Sequence, residues 1–287
     1  YRANLTSVIR NVKFVFSKRD KSKVHHITGD IHYCILALIG FKTVLTVHDL
    51  VLLEKTNNYF KKKIFFILWY YLPIKFATKV VCISEQTKKE LQLYVKRQDI
   101  SVITNPVSEE FKRQTKEFND VMPVILHIGT GWNKNLENVI KALKNIKCHL
   151  RIIGRINSLD LELLKTLKIN YSNAFGISDN EIVEEYKKTD IVCFPSLFEG
   201  FGMPIIEGQA TGRVVLTSDI SPMKEIGNTS VHQVNPYSVE SIRAGFLLLI
   251  KNENYRDSLI SKGFTNIKKY NSIRIVAKYI NIYNEID

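Results

Sequence analysis

Short runs of β-branched and aliphatic residues alternate along the chain with stretches of 10–20 residues whose apolar positions recur at helical spacing. The runs are "VHHIT" (24–28), "KTVLTVHD" (42–49), "KVVCIS" (79–84), "ISVITNP" (100–106), "VILHIG" (124–129), "HLRIIG" (149–154), "NAFG" (173–176), "DIVCFPS" (190–196) and "RVVLTSD" (213–219). Runs that are apolar almost throughout have no polar face to give to water, so they are read as strands covered on both sides. Amphipathic segments long enough to cross over between them make the strands parallel. The pattern predicts an α/β chain of doubly wound, Rossmann-like sheets, repeated twice.

A length of 287 residues favours two domains. The seam falls in "VSEEFKRQTKEFNDV" (107–121), which is charged, poor in large apolar residues and placed just after an Asn-Pro that stops a strand. We therefore expect domains at 1–112 and 113–265, with 266–287 as a helix packing back on the first. Only about four strands precede the seam, few for a complete doubly wound unit.

Composition is that of an ordinary globular protein, at 45% hydrophobic and 24% charged residues, so a sizeable core is available. Charge is uneven: residues 1–120 hold 21 Lys and Arg against 11 Asp and Glu (+10), and 121–287 hold 20 against 17 (+3). The first half is thus the part suited to an anionic partner. Cys34, Cys82, Cys148 and Cys193 are far apart and sit mostly in apolar runs, which reads as reduced core residues of a cytoplasmic protein rather than a metal site. One segment, "YFKKKIFFILWYYLPIKFATK" (59–79), has an 11-residue apolar centre from Ile64 to Ile74, too short for a bilayer span. Flanking lysines, with Trp69, Tyr70 and Tyr71 inside it, are the ingredients of a helix lying on a membrane surface; a core helix with a basic cap is the plainer reading.

The chemistry concentrates in "FPSLFEGFGMPIIEGQATG" (194–212). "DIVCFPS" is a buried strand and Pro204 suits the first turn of a helix, so "LFEGFG" is a loop at the carboxyl end of a parallel strand leading into a helix N-terminus. Open α/β sheets bind ligands there. Exposed N–H groups and the helix dipole attract anions, and Gly200 and Gly202 carry no Cβ to block a phosphate. Glu207, early in the helix, can accept hydrogen bonds from vicinal hydroxyls, so sugar and ribose are the ligands that fit.

This stretch resembles the Glu-x7-Glu signature of retaining glycosyltransferases of family 4, which have the two-Rossmann-domain GT-B architecture with the domains facing across a cleft. The family includes many mannosyl-, glucosyl- and galactosyltransferases of bacterial polysaccharide and lipopolysaccharide assembly. The resemblance implies that Glu199 contacts the donor sugar, that Glu207 holds the nucleotide ribose, and that Gly200, Phe201 and Gly202 approach the sugar and diphosphate. "TVLTVHDL" (43–50) is similar to the first-domain pattern in which a histidine, here His48, points at sugar and acceptor. "VVCISEQTKKEL" (80–91) matches a strand followed by a capped helix, with Ser84 as N-cap. "HIGTGWNKNLENVIKAL" (127–143) resembles the first strand and helix of the nucleotide domain, implying that Gly129 and Lys134 meet the diphosphate.

The likeness starts near residue 24 and departs from the pattern twice. Family members begin with a strand and a Gly-rich loop that have no counterpart here. Where the family carries arginine and an Arg-Lys pair, this chain has Thr130 and Asn133-Lys134, with Arg155 as a further basic neighbour. No Asp-x-Asp motif appears, so the resemblance implies a metal-independent enzyme with no cofactor, a nucleotide-diphosphate sugar as donor and a glycan or lipid-linked acceptor. Location is expected to be cytoplasmic, peripheral at the inner face of the membrane. Alternatives from the residues are an inactive nucleotide-sugar-binding protein and, from the +13 net charge, a polyanion-binding protein; against the latter, no nucleic-acid recognition motif is present.

Overall fold

The computed structural model describes residues 4–54 and 59–287. The chain divides into two compact units, Tyr1–Asn105 with Ile273–Asp287, and Pro106–Ser272.

Four parallel strands form the sheet of the first unit in sequential order: His25–Ile27 (β1), Thr43–Val47 (β2), Lys79–Cys82 (β3) and Ile100–Val102 (β4). Successive side chains of a strand point to opposite faces, and both faces here are covered. Leu45 and Val47 join a core with Ile35, Trp69, Tyr70 and Leu91, whereas Val44 and Val81 pack with Ile275 and Ile282 of the C-terminal helix Ser272–Ile286. Ile275 and Ile282 lie two turns apart on one stripe, and their burial contributes about 2 kcal/mol each. Ser84 caps the helix Glu85–Gln92 by accepting from the Thr87 N–H at 3.0 Å, as its position in the sequence predicts.

The segment 59–79 splits between its two readings. It forms the helix Tyr59–Phe66, a π-helical turn Ile67–Tyr71 and the helix Leu72–Phe76. Trp69 and Tyr70, expected among the surface-seeking aromatics, are instead core residues. Each has a partner for its polar end: Trp69 Nε1 donates to the Asp30 carbonyl at 2.9 Å and the Tyr70 hydroxyl to the Asp49 carbonyl at 3.1 Å, which makes burial affordable. Phe60, Ile64, Leu68 and Tyr71 remain exposed.

Six parallel strands build the second unit: Val124–Ile128 (β5), His149–Ile153 (β6), Tyr171–Ala174 (β7), Ile191–Phe194 (β8), Val214–Ser218 (β9) and His232–Val234 (β10). Their order is β10-β9-β8-β5-β6-β7, so the chain starts in the middle, winds outward one way and then returns to wind the other. That is a doubly wound sheet with its switch point between β5 and β8. The core beneath it gathers Ile125, Leu150, Ile152, Cys193 and Leu216 with Ile140 and Phe246 from the covering helices. All four cysteines are buried free thiols, and burial pushes Cys34 and Cys148 up to about 11 and Cys82 to about 12.

The predicted strands are present, with two differences. β7 lies at Tyr171–Ala174, earlier than "NAFG", because an edge strand with one wetter face tolerates the polar "YSN". β10 was not anticipated: three residues with two polar side chains give no apolar run to read. Residues 106–123 contain no helix or strand, as the seam requires, but they are tied to the second unit, so the division falls at Asn105 rather than at 112. Val107 N–H donates to the Tyr270 carbonyl at 2.9 Å, Phe111 packs edge-on to Tyr186, and Lys116 pairs with buried Asp190. The same bond keeps 267–272 in the second unit, and the chain returns to the first at Ile273 rather than at 266.

Candidate functional site

At a switch point the loops after two neighbouring strands diverge and leave a crevice at their carboxyl ends. Here those loops are 129–135, after β5, and 195–202, after β8, and they are laced together. The Asn133 carbonyl accepts from the Leu197 N–H at 2.8 Å, and Asn133 Nδ2 donates to the Phe198 carbonyl at 3.0 Å and to Glu199 Oε1 at 3.3 Å. Asn135 takes the left-handed conformation at φ 63° and donates from Nδ2 to the carbonyls of Pro195 and Pro236.

Across this seam Lys134 Nζ donates to Glu199 Oε1 at 2.6 Å. The ammonium also lies 5.0 Å from the centre of the Phe194 ring. Gly129 makes the approach possible: at φ +90° it adopts a conformation that L side chains rarely take, and a Cβ there would meet Lys134 Cγ at 2.9 Å. Thus three residues expected at the donor site, Gly129, Lys134 and Glu199, are brought together, as ion pair and floor.

The second glutamate has a different setting. Met203–Ala210 is a helix with Gly202 (φ +136°) as N-cap and Pro204 in its first turn; Gly200 and Phe201 are buried at its head, Phe201 edge-on to Tyr270 at 5.7 Å. One turn in, Glu207 Oε2 accepts from the Tyr186 hydroxyl at 2.5 Å. Burial raises the Glu207 pKa, and the hydrogen bond from Tyr186 opposes the rise. Tyr186, fully buried, has its own pKa raised well above 10 by that burial and by the neighbouring carboxylate, so it stays a donor.

His48 belongs to the first unit, at the carboxyl end of β2, and its Nε2 donates to the Thr28 carbonyl at 2.6 Å. Nearby His26 bonds Tyr283 and Thr46 through its two ring nitrogens, at 2.7 and 2.8 Å, and burial brings its pKa down to about 4. Arg155 places its guanidinium 5.0 Å from the centre of the exposed Phe175 ring. Among the described residues no cluster of His, Cys, Asp and Glu side chains could hold a metal ion. No described helix is long and apolar enough to cross a membrane.

Comparison with known proteins identifies the kind of enzyme to which these loops belong. The family model "Glycosyl transferases group 1" matches residues 108–265, more than half of the chain, and "Glycosyltransferase Family 4" matches 7–111. This chain belongs to the group 1 glycosyl transferases. An uncharacterized glycosyltransferase of Methanocaldococcus jannaschii is 26% identical over 276 residues, covering 88% of this chain and 72% of its own. The O-antigen chain mannosyltransferase RfbU of Salmonella typhimurium is 28% identical over 236 residues, covering 79% and 65%. Among solved structures, sucrose-phosphate synthase from Thermosynechococcus elongatus superposes with a TM-score of 0.83 at 16% identity, covering 99% of this chain and 80% of that one. Anabaena HepE in complex with UDP and glucose does so at 0.82 and 13%, covering 97% and 81%. At these identities the structural likeness establishes the GT-B fold of this group 1 transferase, as the sequence implied.

In this group 1 transferase, nothing in the sequence marks Tyr186, Asn133 or Asn135 as parts of the candidate site. Asn133 reads in the sequence as a lost basic residue, yet in the structure it fixes the Glu199 loop. Only the pairing of β5 with β8, not any local spacing, brings residues more than 60 positions apart into contact.

Proposed function

We propose that this chain is a retaining glycosyltransferase that moves a hexose from a nucleotide-diphosphate sugar to a glycan or lipid-linked acceptor of cell-surface polysaccharide assembly. The observation that carries the reading is the Lys134–Glu199 pair at the switch point, one loop away from the Glu207 helix. In the proposed reaction the bond from the anomeric carbon to the diphosphate breaks, the acceptor oxygen bonds to the same face, and the acceptor proton leaves with the diphosphate. Negative charge grows on the departing phosphates, where fixed positive charge has the most to stabilise. Lys134 and the N–H groups at the head of Met203–Ala210 supply it, so the reaction as proposed calls for no metal or cofactor. Glu199 receives sugar hydroxyls once Lys134 turns to the phosphates, and Glu207 receives the ribose. RfbU is named for O-antigen chains and HepE was solved with UDP and glucose; both support this substrate class.

The acceptor side is proposed to work at the inner membrane face in the cytoplasm. Phe60, Ile64, Leu68 and Tyr71 are exposed at spacings of four, four and three residues, beside Lys61, Lys62 and Lys63, and 59–79 contains no acidic residue. Such a stripe suits anionic headgroups. Co-sedimentation of the full chain with phosphatidylglycerol vesicles at low salt, lost when Phe60 and Ile64 become serine, is the expected result; equal recovery with neutral vesicles counts against it. For the chemistry, NMR of the product from an α-linked nucleotide sugar tests retention. An α-linked product is expected; a β-linked product, or no transfer to any acceptor, contradicts the proposal.

A further inference from the structure

Tyr186 is too well fixed for a residue that merely fills space. Its side chain is fully buried, and its ring meets Phe111 edge-on at 5.2 Å. Its carbonyl accepts from Arg213 Nε at 3.0 Å, and buried Arg213 also donates to the Lys187 carbonyl at 3.1 Å. The helix that carries it, Asp179–Lys188, starts with a capping box in which Ser178 and Glu181 exchange hydrogen bonds. A phenol buried to this extent needs a partner for its hydroxyl, and the partner is a single oxygen, Glu207 Oε2. Glu207 Oε1 receives no hydrogen bond from the described residues.

We propose that Tyr186 is a positioning residue for nucleotide binding: its hydroxyl holds one Glu207 oxygen, which fixes the carboxylate rotamer and leaves the other oxygen for the ribose. The proposal rests on the reading of Glu207 as the ribose acceptor. Its electrostatic side follows from the surroundings. Burial and the negative charge of Asp179, at the start of the same helix as Tyr186, both disfavour an ionised Glu207, and the Tyr186 hydroxyl favours it. Glu207 is the only charged residue of Met203–Ala210, and Arg213 is directed to the Tyr186 and Lys187 carbonyls. Phe111, packed on the phenol from the linker, adds no charge. With the hydroxyl removed, the carboxylate protonates at a higher pH, and a protonated acid is a weaker acceptor for ribose hydroxyls.

The test is calorimetric titration of the full chain with UDP, GDP and ADP between pH 5.5 and 8, on the wild type, Tyr186→Phe, Glu207→Gln and the double variant. For the nucleotide that binds, Tyr186→Phe is expected to weaken affinity roughly tenfold at pH 6 and less at pH 8, moving the acid limb upward. Glu207→Gln is expected to weaken binding at every pH and to abolish the limb, and adding Tyr186→Phe to it should change little. A uniform loss in Tyr186→Phe that also persists in the Glu207→Gln background would show a structural role only and overturn the inference. So would an unshifted limb. If Glu207→Gln binds as tightly as the wild type, or if no nucleotide binds the folded wild type, the ribose reading itself fails, a result separable from failure of the Tyr186 inference.

Discussion

Lys134 and Glu199, from the loops after two adjacent strands, form an ion pair at 2.6 Å in which each occupies the other's binding capacity. Both side chains are partly buried, and Asn133 holds the same carboxylate oxygen. The two side chains are only 24% and 14% exposed, so the cost of desolvating both charges offsets most of their attraction, and the diphosphate sugar proposed as donor, which offers a phosphate to the lysine and a hydroxyl to the glutamate, can replace the pair at little net cost. The pair keeps two charged groups in register while the site is empty.

If Lys134 carries the leaving-group charge, its removal separates catalysis from stability. Lys134→Ala is expected to lower kcat/KM for the donor by about 10²–10³-fold while costing about 1–3 kcal/mol of stability, because Glu199 keeps only Asn133 as its partner. Steady-state kinetics beside thermal melts will show it. Comparable turnover by the variant would remove Lys134 from the mechanism.

Gly129 connects backbone geometry to that lysine. Gly129→Ala forces a Cβ onto a residue at φ +90° and within 2.9 Å of Lys134 Cγ. The backbone cost is about 1–2 kcal/mol, and because the lysine must move, the donor KM should rise as well. A variant that loses stability but keeps its KM would mean that Lys134 does not need this floor.

Two buried histidines, His32 and His127, and the half-buried His26 set an acid limit on the fold. Burial is the main cause that brings His26, His32 and His127 down to about 4 from an ordinary 6.5. Between pH 6.5 and 4 the unfolded chain binds protons that the folded chain refuses, so stability falls as pH falls through that window and is unaffected by these groups above it. His26 and His32 lie in the first unit and His127 in the second, so both units should soften in acid. A melting temperature several degrees lower at pH 5 than at pH 7 is expected; an unchanged or higher one would contradict it.

His48 offers a test confined to the first unit. His48→Ala removes the Nε2 donor to the Thr28 carbonyl. If His48 acts on sugar or acceptor, kcat should fall at least about tenfold with nucleotide affinity unchanged, measured by turnover against calorimetry. Equal kcat would leave His48 as the residue that closes a turn.

Long apolar runs made most of the strands readable, because β2, β8 and β9 are buried at every position and cannot be anything but interior. β10 stayed hidden because an edge strand of three residues, two of them polar, carries no period. Trp69 and Tyr70 misled for a related reason: an amphipathic aromatic looks the same in sequence whether its polar tip meets headgroups or a buried carbonyl. At the candidate site, Glu199, Glu207 and Lys134 were singled out by their glycine and helix-start contexts and the family resemblance. Tyr186 and Asn133 were not, since their roles arise from contacts across the sheet order, over 21 and 66 residues of chain.

Whether the loops after β5 and β8, with the helix that follows, bind a nucleotide-diphosphate sugar is read from thermal shifts of the full chain with UDP, GDP, ADP and their sugars. One nucleotide series is expected to raise the melting temperature of the wild type, and Glu207→Ala to abolish the rise. If every nucleotide leaves the folded wild type unshifted, or if Glu207→Ala is stabilised as strongly as the wild type, the donor site is not the one described.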